Sequence, residues 1–304
     1  MSDYRQNCFP RVGILINRIR VEEKHLIREL ESRGGVYETL HDGDLQFHLN
    51  EQSGWNRFDV ILERSISHSR AMNALRIFRS AGVPTVNSME VAATCGDKIR
   101  TSLALEEAGV PQPESAVAFT PDSALEAIEK VGYPVVLKPV TGSWGRLMTR
   151  VEDRETARSV LEHKQTLGGV QHSIFFIQKY VEKGGSDIRA FVVGDETICA
   201  IKRRSGHWIT NTARGAEVSP IEVSPDLHKI CIAAANAVGG GVLAVDLFTS
   251  EDEFLVNEVN YTMEFRNSTG PTGVNIPGKI VDYVIEIARN RGVRSDRIPM
   301  GAEV

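Results

Sequence analysis

Apolar residues in the first third of the chain fall in short runs separated by polar, helically spaced segments. Residues 11–17 (RVGILIN) and 58–63 (FDVILE) are nearly continuous apolar stretches, the pattern of strands buried on both faces of a parallel sheet. Between them, residues 22–33 place Leu26, Ile27 and Leu30 on one helical face and stop at Gly34-Gly35. Residues 36–41 predict the next strand, 71–80 a second helix, and 85–87 a short strand behind Gly82-Val83-Pro84. The repeated strand–helix–strand order predicts a parallel sheet covered by helices.

The pattern then changes. A helix over 97–108 ends at Gly109, with Pro111 and Pro113 behind it, which marks a domain boundary. Beyond it, strands at 115–119, 134–139 (PVVLKP) and 173–178 alternate with helices at 123–130 and 154–162, a small α/β unit. From Asp187 onward the chain is strand-rich: IRAFVV, TICAIKR, VLAVDLF and EFLVNEVNY, with helices at 226–238 and 278–289. The fold class is α/β shading into α+β.

Composition narrows the function. A chain of 304 residues accommodates two or three subdomains, and 41% hydrophobic with 25% charged residues is the balance of an ordinary globular protein. A net charge of −5 argues against a general nucleic-acid binder. The opening MSDYRQNCFP lacks a signal-like apolar stretch, and no run nears the roughly 18 apolar residues that span a bilayer, so a soluble, cytoplasmic protein is expected. Cys8, Cys95, Cys199 and Cys231 are far apart without a CxxC pair, so reduced thiols are expected rather than a zinc or disulfide framework. Residues 1–10 and 290–304 read as tails.

The sharpest chemistry lies near the C-terminus. Asp246 sits in VLAVDLF, and Glu258 and Asn260 sit two apart in FLVNEVNY, so the latter two share a strand face. TSEDE between the runs predicts a hairpin. Asp246 on the partner strand would complete three oxygen donors on an apolar surface, a set suited to Mg²⁺. Acidic residues at strand ends are often only solvated or paired with Arg or Lys; apolar neighbours on two adjacent strands favour the metal.

Lys138 ends a buried strand and is followed by Thr141-Gly142-Ser143-Trp144-Gly145-Arg146. A buried lysine needs an anion, and glycines let backbone N–H groups approach phosphate. Neither a Walker loop nor a dinucleotide fingerprint is present. The hinge Gln178-Lys179-Tyr180-Val181 can offer backbone groups to an adenine edge. Arg189 and Arg203 alternate with apolar residues and could share a strand face able to hold anions. Lys202, Arg204, Arg214 and Arg266 are further cations. Arg64, Ser67 and Arg70 follow a strand end, where open α/β sheets bind ligands. No GxSxG or HExxH occurs, which disfavours serine and zinc hydrolases.

These segments together resemble the RimK-like branch of the ATP-grasp ligases, and within it the LysX/ArgX-type group that couples amino acids to the amino-group carrier protein of lysine and arginine biosynthesis. The stretches that carry the resemblance are VNSMEVAATCGDKIRT, YPVVLKPVTGSWGRL, FFIQKYVEKGGSDIRAFVVGDE, RRSGHWITNTARG, GGGVLAVDLF and LVNEVNYTMEFRNS. It implies an ATP-grasp fold with an N-terminal parallel-sheet domain (1–96), a central lid and nucleotide-binding part (97–180) and a C-terminal strand-rich catalytic domain (181–304). It further implies that Lys98 and Lys138 contact the ATP phosphates, that Gly142, Ser143, Trp144, Gly145 and Arg146 close over them, and that Gln178, Lys179, Tyr180 and Val181 frame the adenine. Asp246, Glu258 and Asn260 would hold two Mg²⁺ ions. Arg189, Arg203, Asn211 and Arg214 would bind the transferred phosphoryl group. Glu264, Arg266 and Asn267, with Arg64 and Ser67, would meet the amino-acid substrate.

The implied partners are a small acidic carrier protein ending in glutamate and the amine α-aminoadipate, with glutamate, or both, as the alternative. Ligation of glutamate to another protein or a small metabolite is a second alternative, and nucleotide binding without turnover a third, from a different class. Neither nucleic acid nor membrane is expected as a partner. Dimers and tetramers are both open as homo-oligomers.

Overall fold

A computed structural model of the chain describes residues 9–50, 53–142, 147–169, 173–212, 215–250 and 253–295. The chain forms two compact units, Met1–Ala92 with Tyr261–Val304, and Ala93–Asn260.

The first unit holds the predicted parallel sheet. Strands β1 (Arg11–Ile16), β2 (Val36–His41), β3 (Val60–Glu63) and β4 (Thr85–Val86) lie in the order β2-β1-β3-β4, all pairs parallel. Every residue of β3 is buried, as its apolar run requires. Gly13 in β1 has a packing reason: a Cβ there would stand 2.4 Å from Cδ1 of Ile61. The predicted helices are α1 (Val21–Ser32) and α2 (His68–Ser80). Residues 261–304, expected with the C-terminal third, fall instead in this unit. Their long helix, α9 (Ile276–Ser295), packs against α1 and β3; its apolar face (Ile280, Val281, Val284) is buried there, a long-range pairing that periodicity does not encode.

The second unit contains two antiparallel sheets. The smaller has the order β5-β8-β6-β7, from β5 (Ser115–Ala118), β6 (Val135–Lys138), β7 (Thr149–Val151) and β8 (Phe175–Lys179). Helices α5 (Pro121–Val131) and α6 (Arg154–Leu167) cover it. Its core unites Leu125, Ile128, Val135, Leu137, Phe175 and Ile177. The larger sheet has the order β11-β10-β9-β12-β13, from β9 (Ser186–Val193), β10 (Glu196–Arg204), β11 (Glu217–Ile221), β12 (Val242–Ser250) and β13 (Glu253–Asn260). Helix α7 (Pro225–Ala237) packs on it, and α4 (Lys98–Glu107) packs on α7 and β13.

Among the described residues, five elements were not expected: a 3-10 turn (Ser53–Arg57), β7, β11, α3 (Met89–Cys95) and the one-turn α8 (Thr269–Thr272). Four of them are short. The fifth, β11, is an edge strand interrupted by Pro220, which a propensity reading demotes.

The expected hairpin is β12–β13, with Asp246 opposite Glu258 and Ala244 opposite Asn260. It carries one irregularity: Asp246 pairs with Glu258 but Leu247 pairs with Val256, leaving Asn257 as an extra residue. A bulge of this kind breaks the strict alternation of faces. Asn257 and Glu258, consecutive residues, consequently both line the same cleft.

Candidate active site

A cleft open to solvent lies within the second unit. The sequence-predicted residues on its wall are Lys98, Lys138, Gly142, Gln178, Lys179, Tyr180, Val181, Arg203, Asn211, Asp246 and Glu258. Residues separated by 160 positions are thus gathered by β6 and β8 of one sheet and β10, β12 and β13 of the other. Val136, Met148, Val181, Ile209 and Phe248 supply apolar wall, the mixture of a flat apolar slot with converging polar groups expected of a ligand site.

Lys138 is the most constrained cation. The last residue of β6 is buried, and its Nζ donates to Oδ1 of Asn257 at 2.8 Å. Burial pushes its pKa down to about 7, against the opposing pull of Glu258. Lys98, at the start of α4, donates to the Gly142 carbonyl at 3.0 Å and lies 3.5 Å from Oε1 of Glu258. Two ammonium groups and one carboxylate therefore share this end of the cleft.

Asp246, paired with Glu258 across the β12–β13 hairpin, gathers a second set of charges. Its Oδ1 accepts from Nε of Arg189 at 2.7 Å, and its Oδ2 accepts from Nη2 of the same arginine at 2.7 Å. Nη2 of Arg203 lies 3.2 Å from Oδ1, and Nδ2 of Asn260 donates to Oδ2 at 3.4 Å. Burial opposes ionisation, but the two guanidinium charges outweigh it and hold Asp246 down to about 2. The paired carboxylate in turn raises Arg189 above its usual value against the cost of burial. The expected shared face is present: Arg189 sits opposite Asp246, and Arg203 opposite Asp187. Neither Arg189 nor Asn260 is among the wall residues; both reach the site through Asp246.

Sequence reading missed a second polar knot. Nε of Arg203 donates to Oδ1 of Asp187 at 2.6 Å. Lys183 donates to Oγ1 of Thr210 at 2.7 Å and lies 3.4 Å from Oδ2 of Asp187; the Thr210 hydroxyl also donates to that carboxylate. Burial lowers the Lys183 pKa against Asp187. Lys183, Asp187, Thr210 and Asn257 all line the cleft. Asp187 was legible in principle, since it alternates with Arg189 on one strand; Lys183 and Thr210 lie in loops whose placement no local pattern gives.

The side chain of Lys179, in the hinge expected to offer backbone groups to adenine, has a structural part of its own. Its Nζ donates to the carbonyls of Val131, Gly132 and Tyr133 at 3.3, 2.8 and 3.5 Å, satisfying groups at the C-terminal end of α5 that the helix leaves open. Lys179→Met is therefore expected to cost stability, about 1–3 kcal/mol, while leaving nucleotide affinity within a few-fold. Thermal melts and a nucleotide titration on the same variant check this. The ring of Tyr180 faces the Arg150 guanidinium at 4.0 Å.

The remaining expected residues lie elsewhere or outside the described part. Arg64, Ser67, Glu264, Arg266 and Asn267 belong to the first unit: Arg64 is buried, whereas Arg266 and Asn267 are exposed. Ser143, Trp144, Gly145, Arg146, Arg214 and Cys8 lie outside the described residues. Among the described residues no cluster of three His, Cys, Asp or Glu side chains is set to hold a metal. A metal here would rest on Asp246 and Glu258, carboxylates directly opposite each other, with the Asn260 amide. All are hard oxygen donors, which fits Mg²⁺; Glu258 is the more available, because Asp246 is already held by two guanidinium groups. No described helix is long and apolar enough to cross a membrane.

Comparison with known proteins gives the family. Residues 95–284 match the model of the RimK-like ATP-grasp domain, and residues 12–94 match that of the LysX preATP-grasp domain. An alpha-aminoadipate–LysW ligase, LysX, of Sulfurisphaera tokodaii is 33% identical over 90% of this chain and 98% of its own. A glutamate–LysW ligase, ArgX, of Sulfolobus acidocaldarius is 32% identical over the same shares, 90% and 98%. The crystal structure of a RimK domain ATP-grasp protein from Sphaerobacter thermophilus superposes with a TM-score of 0.74 at 27% identity, covering 90% of this chain and 99% of that one. The chain is a member of the RimK-like ATP-grasp family of ligases.

Proposed function

We propose that the protein activates the side-chain carboxylate of a carrier protein's C-terminal glutamate with ATP and joins it to the amino group of α-aminoadipate. The observation that carries this reading is one cleft whose wall joins Lys98 and Lys138 with Arg203, Asp246 and Glu258, Asp246 being held by Arg189 and Arg203. Near-full-length relatives named as LysW ligases supply the substrate class.

In the reaction, a carboxylate oxygen of the carrier attacks the γ-phosphorus of ATP. The bond to the β–γ bridging oxygen breaks, ADP leaves and an acyl phosphate remains. The amine nitrogen then attacks the acyl carbon, inorganic phosphate leaves and the nitrogen loses a proton. No side-chain nucleophile is needed. Lys98 and Lys138 bind phosphate oxygens, and the apolar wall with the backbone of residues 178–181 takes the adenine. Arg203 and Asn211, with Arg189 and Arg214, balance charge on the transferred group. Asp246, Glu258 and Asn260 would hold two Mg²⁺ ions, whose chemistry is to neutralise polyphosphate charge. By role we divide the chain into preATP-grasp (1–96), lid (97–180) and catalytic (181–304) parts, a division that differs from the compact units in keeping 261–304 with the catalytic part.

The amine is the finer question. α-Aminoadipate and glutamate differ by one methylene, worth only about 1–3 kcal/mol in a hydrophobic pocket. Phosphate release in the presence of ATP, Mg²⁺ and carrier protein is expected to be faster with α-aminoadipate than with glutamate. Preference for glutamate would replace the first amine with the second. Release that ignores the carrier would remove the carrier from the account.

A further inference from the structure

Strand β13 departs from strict alternation at one point. Val245 and Leu247, two apart on β12, pair with Val259 and Val256, three apart on β13. Both valines are buried, and Asn257 is the residue in excess between them. In a regular ladder neighbouring residues point to opposite faces, so a Glu258 on the cleft wall would send Asn257 to the other face. The bulge puts both on the wall instead. The backbone that carries it is tied down: the N–H of Val256 donates to the Pro111 carbonyl at 2.8 Å.

The group that Asn257 meets is Lys138. Its Oδ1 accepts from Nζ at 2.8 Å, the one hydrogen bond of that ammonium among the described residues. An ammonium has three N–H donors, so two are left for an anion. Lys98, by contrast, is engaged by the Gly142 carbonyl and lies against the Glu258 carboxylate. The kind of partner decides what Lys138 can do. A carboxylate would hold the buried ammonium more strongly, but it would also neutralise the charge that a phosphate needs. An amide fixes the ammonium and leaves its charge whole. A lysine with only a structural part has the opposite requirement, since a buried charge is best satisfied by its counter-charge.

We propose that Asn257 is a positioning residue for nucleotide binding: the β13 bulge delivers a neutral acceptor that fixes the Lys138 ammonium for phosphate without discharging it. That the anion is the phosphate of ATP rests on the function proposed above.

The test is calorimetric titration of the full chain, with Mg²⁺, against ATP and against adenosine, which has the base and sugar without phosphate. Asn257→Leu keeps the size and loses the acceptor. It is expected to bind ATP on the order of 10-fold more weakly, with adenosine affinity unchanged. Asn257→Asp restores an acceptor but brings a negative charge, and is expected to weaken ATP binding by about as much. In the Lys138→Met background Asn257→Leu should change ATP affinity by less than about 2-fold, because its effect runs through the lysine. Circular dichroism checks that each variant folds. Undiminished ATP binding by Asn257→Leu, or equal losses for ATP and adenosine, would overturn the proposal. So would Asn257→Asp binding ATP as tightly as wild type, or the full loss persisting in the Lys138→Met background, which would make Asn257 a direct ligand contact. All of these leave the ligase reading intact. Absence of ATP binding by the wild type would overturn that reading, and the proposal with it.

Discussion

Asp246→Ala is expected to lose about 3 kcal/mol of stability, because it strands the Arg189 guanidinium and removes one of the two carboxylates that hold Arg203, and to reduce ATP turnover by at least ~10²-fold. Arg189 donates twice to this carboxylate at 2.7 Å, and Arg203 lies 3.2 Å from it. With the carboxylate gone, Arg189 loses the partner to which it donates twice, while Arg203 keeps Asp187, to whose Oδ1 its Nε donates at 2.6 Å. The pH dependence has a fixed sign. Asp246 in the folded protein titrates near 2, below its ordinary value of 3.8, so its stabilising contribution is full above about pH 4 and falls as pH drops toward 2. Acid unfolding of the wild type and of Asp246→Ala should therefore converge at low pH. Urea melts across that range, with turnover assays at neutral pH, check both parts.

Lys138→Met should act in the opposite direction on stability and in the same direction on activity. Its folded pKa of about 7 lies below the ordinary 10.5, so the folded protein binds fewer protons at this site than the unfolded chain does. The resulting penalty is full below about pH 7 and vanishes as pH rises toward 10.5. Replacing the ammonium with an apolar chain of similar length removes this penalty and is expected to retain stability or raise it by on the order of 1 kcal/mol. ATP turnover should fall ~10²–10³-fold. Wild-type nucleotide binding at pH 8 should also take up a proton, since phosphate favours the charged lysine, and Lys138→Met should not. Calorimetry in buffers of different ionisation enthalpy reads that proton, and thermal melts from pH 6 to 10 read the stability.

How much of this was legible in the sequence follows from the range of the interactions involved. Strands β1, β3, β6 and β12 are short apolar runs whose burial is written locally, and their boundaries fell within a residue or two of expectation. The β12–β13 hairpin was legible from its turn and brought Asp246 opposite Glu258. The bulge at Asn257 was not, because the registers with and without it share the same local pattern; only Lys138, 119 positions away, reveals why Asn257 faces the cleft. The hinge 178–181 is legible for its backbone, but the part played by the Lys179 side chain at the C-terminal end of α5, a contact 46 to 48 positions distant, is not. The Arg20–Glu23 pair shows a different limit. Residues 22–33 read as a helix with a polar start, and nothing local signals that Glu23 is fully buried beside Arg64.

The measurement that tests the central claim most directly is the mass of the carrier protein after incubation with the enzyme, ATP, Mg²⁺ and α-aminoadipate. The account predicts a carrier heavier by one amino acid less one water, with fragmentation placing the addition on the side chain of the terminal glutamate, and no addition when ATP is omitted. An unmodified carrier alongside ADP formation, or an addition placed elsewhere on the carrier, would contradict it.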